Sequence, residues 1–226
     1  MFKKLIRENS WFWSGFGVLL AAGALLLFSI NTGDEIIFFS DRRTEFLNLF
    51  FAWWTKMGEW FPFVAAGLIL LFVKIRHTIF VALIGGAVTI VSYLLKTYFS
   101  QPRPRLFFEA ENLLDRLNFV EGVKVFSGNT SFPSGHTMAA FALFSFLAFL
   151  TPRKSWAGII FLGCALLVGI SRIYLVQHFF KDVYLGAILG TLIATLFYFL
   201  EQRVQQQKRP WANTSWRRQT RERAAA

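Results

Sequence analysis

Long apolar runs, rather than helical or alternating spacing, set the pattern of this chain. Six stretches carry little or no charge, at roughly 11–31, 60–73, 78–97, 135–151, 155–173 and 182–200, and a hydrocarbon core asks for about 20 apolar residues at 1.5 Å rise each. The pattern predicts an all-α, polytopic membrane protein with six transmembrane helices. The second and fourth runs are short. Before the second stands Phe50-Phe51-Ala52-Trp53-Trp54, which reads either as an interfacial stretch or as the start of that helix. The first run follows Lys3, Lys4 and Arg7 in the manner of a signal peptide. Its apolar length exceeds the roughly 7–15 residues of a signal core, and no small-x-small site follows, so it is expected to stay as an anchor. Between the third and fourth runs, Leu106, Ala110, Leu113, Leu114 and Leu117 recur at i, i+4, i+7, i+8 and i+11. That spacing predicts one amphipathic helix lying in the outer interface, as cover for the domain or as a gate for lipid.

Composition agrees with this reading. Of 226 residues 55% are hydrophobic and only 16% are charged, against about 25% charged in an ordinary soluble domain. The single cysteine, Cys164, excludes an internal disulfide and is expected to be a small buried apolar side chain. The net charge of +11 acquires meaning once it is laid on the six spans. The side holding both termini collects 14 cations and three anions, and the other side ten of each. The whole net charge therefore lies on one face, which the positive-inside tendency assigns to the cytoplasm. His77, among Lys74 and Arg76 on that face, reads as inert surface. Residues 1–200 are expected to form a single transmembrane domain. Residues 201–226 are expected to form a disordered basic tail, drawn to anionic inner-leaflet lipids at about 1 kcal/mol per cation. Nothing else in the chain supports a nucleic-acid partner. Of the two Asn-x-Ser sequons, the one at Asn129 reads as chance, and the one at Asn213 is cytoplasmic in this topology and cannot be glycosylated.

Three polar clusters need an explanation, because all fall at span ends on the outer face. They are Lys96…Arg103-Pro104, Pro133-Ser134-Gly135-His136, and Ser171-Arg172…His178…Asp182. Singly, each has a plain structural reading: snorkelling cations, a serine helix cap, a membrane-edge ion pair. Three such clusters at one depth, with two of the chain's three histidines, point instead to a site. Lys96, Arg103 and Arg172 suit phosphate, since guanidinium forks match its oxygens and an ammonium adds a point charge. The amides opening the fourth helix at Ser134 and Gly135 direct positive partial charge the same way. Asp182, four residues after His178, shares its face if the segment is helical. It can then hold the Nδ1 proton of His178 and leave Nε2 free to attack phosphorus. His136 is placed to protonate the leaving oxygen and later to activate water. Two histidines and a carboxylate are also a metal set. Three fixed cations in one pocket repel a divalent ion and favour an oxyanion, so no metal and no cofactor are expected.

These residues resemble the type 2 phosphatidic acid phosphatase superfamily, whose pattern is Lys-x6-Arg-Pro, Pro-Ser-Gly-His and Ser-Arg-x5-His-x3-Asp. All eleven specified residues match in order and spacing, within a region of about 60–200. The resemblance implies a six-helix membrane fold and a site facing the periplasm or lumen. It implies metal-independent hydrolysis of a lipid phosphate through a phosphohistidine, with His178 as nucleophile, Asp182 as its orienter and His136 as acid. Lys96, Arg103, Ser134, Gly135 and Arg172 would hold the phosphate. Six spans argue against the soluble haloperoxidase branch. Undecaprenyl diphosphate is the favoured substrate, with broad lipid-phosphate activity. A lipid A phosphatase or a lipid phosphotransferase using the same site is the alternative, and a non-enzymatic anion transporter or scaffold is disfavoured by the intact nucleophile, orienter and acid.

Overall fold

The computed structural model describes residues 1–151, 155–207 and 214–216. Most of the basic tail, with Asn213 and the cations Arg153 and Lys154, lies outside the described residues. Those described form helices and connecting turns without strands. In chain order the helices are α1 (Phe2–Glu8), α2 (Ser10–Ser29), α3 (Asp34–Ser40), α4 (Glu45–Trp54), α5 (Phe61–Leu71), α6 (Ile75–Phe99), α7 (Pro104–Ala110), α8 (Gly135–Leu150), α9 (Ser155–Tyr174) and α10 (Phe180–Gln206). Single 3₁₀ turns occur at Thr55–Gly58 and Leu114–Arg116.

Four helices, α2, α6, α9 and α10, are long and apolar enough to cross a bilayer, while α5 and α8 are shorter apolar helices. The chain is a multi-pass membrane protein. Its outer surface carries large apolar side chains in water-facing numbers that no soluble surface tolerates, Phe28 at 93% exposure and Val18 at 70% among them. The aromatic stretch Phe50–Trp54 belongs to α4, and a 3₁₀ turn and an extended Glu59 separate it from α5. It therefore does not begin the second span.

The centre of the bundle is α8. It opens on Ser134, whose hydroxyl oxygen accepts from the Thr137 amide at 3.4 Å. Eleven of its 16 residues are buried, among them Met138, Phe141, Phe146 and Phe149. Helices α6, α9 and α10 pack around it. Burial in lipid brings little hydrophobic gain, so close van der Waals fit decides which helices meet. Glycines supply that fit on α10. A Cβ on Gly186 would stand 2.8 Å from the Ser134 carbonyl oxygen, and one on Gly190 2.8 Å from Cβ of Phe141. The two backbones touch.

A second small core caps the end of the bundle where α8 and α10 begin. Ile36 of α3, Phe108 of α7, Leu117, Ile173, Val176, Phe179 and Val183 close together there. The continuous helix expected over 106–117 does not form. α7 stops at Ala110, Asn112 adopts a positive φ of 56°, and a short 3₁₀ turn follows. Phe107 and Phe108 point into this core while Ala110 and Leu113 are exposed. Phe107 and Phe108 enter this core from α7, and Leu114 and Leu117 of the expected stripe join it from the turn that follows.

Two smaller expectations also change. Cys164 is half-buried rather than fully enclosed. His77 is buried, its Nε2 3.1 Å from Oε1 of Glu201, which also accepts from Nε of the buried Arg76. It is part of an internal ionic cluster and not inert surface. Glu201 could reach it because α10 continues to Gln206, past Leu200.

Candidate active site

The three polar clusters of the sequence converge at the capped end of the bundle. His178 lies in the turn between α9 and α10, two residues before α10 begins, so it shares no helix face with Asp182. The contact forms by another route. Asp182 stands in the first turn of α10, where its Oδ2 accepts the amide of Phe179 at 3.1 Å and lies 3.3 Å from Nδ1 of His178. One carboxylate thus caps the helix and orients the imidazole. His178 and Asp182 are both buried.

Around this pair stand the cations. Arg103 follows the left-handed turn at Ser100 that ends α6. Its Nε donates to Oγ1 of Thr130 at 3.1 Å and its Nη1 to the carbonyl of Gln177 at 3.3 Å. Arg172, in the last turn of α9, donates from Nη1 to Oγ1 of Thr55 at 2.6 Å, while its Nε is buried without a protein partner among the described residues. Lys96, in the last turn of α6, is partly exposed. Burial first, then Arg172, Arg103 and Lys96, push the His178 imidazole well below its ordinary range. A ring held neutral in this way keeps a lone pair available at Nε2.

The beginning of α8 supplies the opposite wall. Ser134 is buried, and its amide donates to the Asp182 carbonyl at 3.0 Å. Its oxygen also accepts from the Thr137 hydroxyl at 2.9 Å, which leaves its own proton free to donate. Gly135 brings the helix start close to Lys96, since a Cβ there would lie 3.7 Å from Nζ. Lys96, Gly135 and His136 line a cavity of about 560 Å³ that continues between α5 and α6 over Trp60, Phe63, Val64 and Val88. His178, Asp182, Arg103, Arg172 and Ser134 do not line it and lie buried.

Several site neighbours were not foreseen in the sequence. Ser131 donates to Oδ2 of Asp182 and lies 3.5 Å from Nδ1 of His178. Its only sequence signal was the Asn129 sequon, read as chance. Glu59 places Oε1 3.9 Å from Nε2 of His136, brought there by the close approach of Gly58 to the His136 backbone. Glu35 of α3 accepts the Phe180 amide at 2.8 Å and so completes the N-terminus of α10. No local pattern announces residues that act across 47 to 145 positions of sequence.

Comparison with known proteins follows this geometry. The family model described as the PAP2 superfamily matches residues 74–206, and the chain belongs to that superfamily. Lipid phosphate phosphatase 1 of Arabidopsis thaliana is 35% identical over 145 residues, 55% of this chain and 43% of that protein. Undecaprenyl-diphosphatase BcrC of Bacillus subtilis is 27% identical over 54% of this chain and 57% of its own length. The chain thus spans about half the length of these curated relatives. The crystal structure of Aquifex aeolicus LpxE superposes with a TM-score of 0.63 at 25% identity, covering 74% of this chain and 93% of that one.

Proposed function

We propose that this protein hydrolyses a lipid phosphate or diphosphate, without a metal, through a phosphohistidine on His178. The observation that carries this reading is the buried His178–Asp182 contact at 3.3 Å, set among Lys96, Arg103 and Arg172. The phosphate oxygens take the three cations, the α8 amides near Gly135 and the Ser134 hydroxyl. The Nε2 lone pair forms the N–P bond as the bond from phosphorus to the leaving oxygen breaks. His136 gives that oxygen its proton. Water then attacks phosphorus, His136 takes the water's proton, the N–P bond breaks and inorganic phosphate departs. A divalent metal finds three fixed positive charges where it would have to bind, and the same charges already neutralise the phosphoryl oxygens.

Six crossings, counting the short α5 and α8, put both termini on the cytoplasmic side and this site on the outer face of the plasma membrane. The split of +11 against zero supports that topology. Undecaprenyl diphosphate is the favoured substrate, supported by the similarity to an undecaprenyl-diphosphatase and by an apolar cavity that begins at Lys96 and His136. The test is acid quench with phosphate-labelled undecaprenyl diphosphate, phosphatidate, phosphatidylglycerophosphate and lipid A, in chelator. Label is expected on the wild-type chain and absent from His178→Ala. Label surviving in His178→Ala, or activity that needs an added divalent cation, overturns the mechanism.

A further inference from the structure

At the far end of the bundle from the histidine pair, four helices leave a second, polar cavity of about 320 Å³. It is walled by Lys4 and Glu8 of α1, Lys74 and His77 at the start of α6, Tyr198 and Gln202 of α10. Along α6 alone, His77 and Lys96 are separated by about 28 Å at 1.5 Å per residue, so this cavity is not part of the candidate active site.

The chemistry of its wall is specific. Glu201 lies behind the cavity with both oxygens occupied, Oε1 by Arg76 and His77 and Oε2 by Nε2 of Gln202 at 2.9 Å. The carboxylate therefore contributes little free negative charge and instead fixes the His77 ring by its Nε2. The other ring nitrogen, Nδ1, has no protein partner among the described residues although the side chain is only 9% exposed. Leaving a buried polar atom unpaired is costly unless a ligand or water completes it. Among the described residues the charged side chains lining the cavity are Lys4, Lys74 and Arg76 with the carboxylate of Glu8, and Arg76 also pairs with Glu201.

We propose that this cavity binds a phosphate group, so that the protein holds an anion at each end of the bundle. The His77 Nδ1 accepts from a ligand hydroxyl or, on the charged ring, donates to a phosphate oxygen, and Lys4 and Lys74 supply the countercharge. A volume of about 320 Å³ admits a phosphate with the first atoms of a headgroup but no acyl chain. A lipid headgroup of the adjoining leaflet and free phosphate offer the same chemistry, and the experiment separates them.

The full chain carrying His136→Gln and His178→Gln keeps His77 as its one histidine, so ¹⁵N-histidine labelling gives a single reporting ring. In nanodiscs of phosphatidylcholine the ring is titrated with inorganic phosphate against sodium chloride of equal ionic strength. A parallel sample contains phosphatidylglycerol in the bilayer. A saturable Nδ1 shift with phosphate assigns a free-anion site, and a shift only with phosphatidylglycerol assigns a headgroup site. In either case Lys4→Gln with Lys74→Gln is expected to raise the half-saturating concentration about 25-fold, from about five-fold per cation removed. These two lysines are not packed in the core, so the double variant folds independently of any effect of altering His77. An Nδ1 resonance indifferent to both phosphate and phosphatidylglycerol, or one whose response the lysine variants leave unchanged, overturns the proposal.

Discussion

The two ends of the α6–α8–α10 core each bury arginine, histidine and a carboxylate, but they treat them differently. At the Glu201 end the carboxylate has Arg76, His77 and Gln202 on its two oxygens, and within this cluster one buried atom, Nδ1 of His77, is left open among the described residues. At the His178 end the buried Arg172 Nε, Asp182 Oδ1 and Gln177 Oε1 have no protein partner among the described residues. A buried ionic group that its own fold satisfies contributes to the folded state. One that its fold leaves open, in a cluster of like charges, is held at a cost in stability and marks a place where something else must bind. The difference teaches that burial and residue type alone do not distinguish a structural cluster from a functional one. Unsatisfied atoms mark where each end stays open, these three at the His178 end and Nδ1 of His77 at the Glu201 end.

The sharpest way to break this comparison is to exchange effects between the ends. His178→Ala is expected to abolish phosphate release from every lipid phosphate while unfolding no earlier than wild type, as read by phosphate assay and thermal melting. His136→Ala is expected to lose about 10²–10⁴-fold, because only proton donation is removed. That loss should shrink for a nitrophenyl ester, whose leaving group needs no proton; a constant loss across leaving groups would remove His136 from the acid role. At the other end, Glu201→Ala strips Arg76 and His77 of their counterion and is expected to cost about 3–5 kcal/mol of stability, with KM at low temperature unchanged. A Glu201→Ala protein that melts normally but no longer turns over would invert the assignment of the two ends.

Ser131→Ala tests the finer structure of the open end. It removes one hydrogen bond to Asp182, worth about 1–2 kcal/mol, and should lower kcat by roughly ten-fold without abolishing the phosphohistidine. The smallest effect concerns pH. The His178 pKa is lowered in the fold, so below the unfolded value of about 6.5 the unfolded chain binds a proton that the folded chain refuses. Stability is therefore expected to fall as pH drops through that value, by at most about 1.4 kcal/mol per pH unit from this group. His178→Gln should flatten that slope in a series of melts between pH 7 and 5.

Much of this was legible in the sequence, for identifiable reasons. The positions of α2, α6, α8, α9 and α10 follow from uncharged runs, which only a lipid or fully buried environment accepts. The eight candidate site residues could be collected because they cluster at helix ends, where polar groups at membrane depth demand an explanation. What was not legible is whatever depends on contact between distant segments. Nothing near His77 in the chain predicts Glu201, and nothing near Asp182 predicts Ser131 or Glu35. The loop helix went wrong for the opposite reason. The leucine period over 106–117 is a genuine local signal, but the chain turns at Asn112 and brings Leu114 and Leu117 into the same core as Phe107 and Phe108 without a continuous helix.

The glycine contacts between α8 and α10 carry a last implication. His136 rides on α8 one residue past Gly135, and Asp182 precedes Gly186 by one turn of α10. The gap between these two main chains is consequently the gauge that fixes how far the candidate acid stands from the candidate nucleophile. A methyl at Gly186 or Gly190 would collide with main chain and Cβ atoms, which cannot swing aside as a side-chain tip can. Alignment of the two groups is thus machined into the backbone rather than tuned by the surrounding side chains. Exposed positions of the outer helices, such as Val18 and Phe28 of α2, can vary as long as they stay apolar, without disturbing the candidate active site. Such a chain can be refitted for bilayers of different thickness or composition while its working distance stays the same.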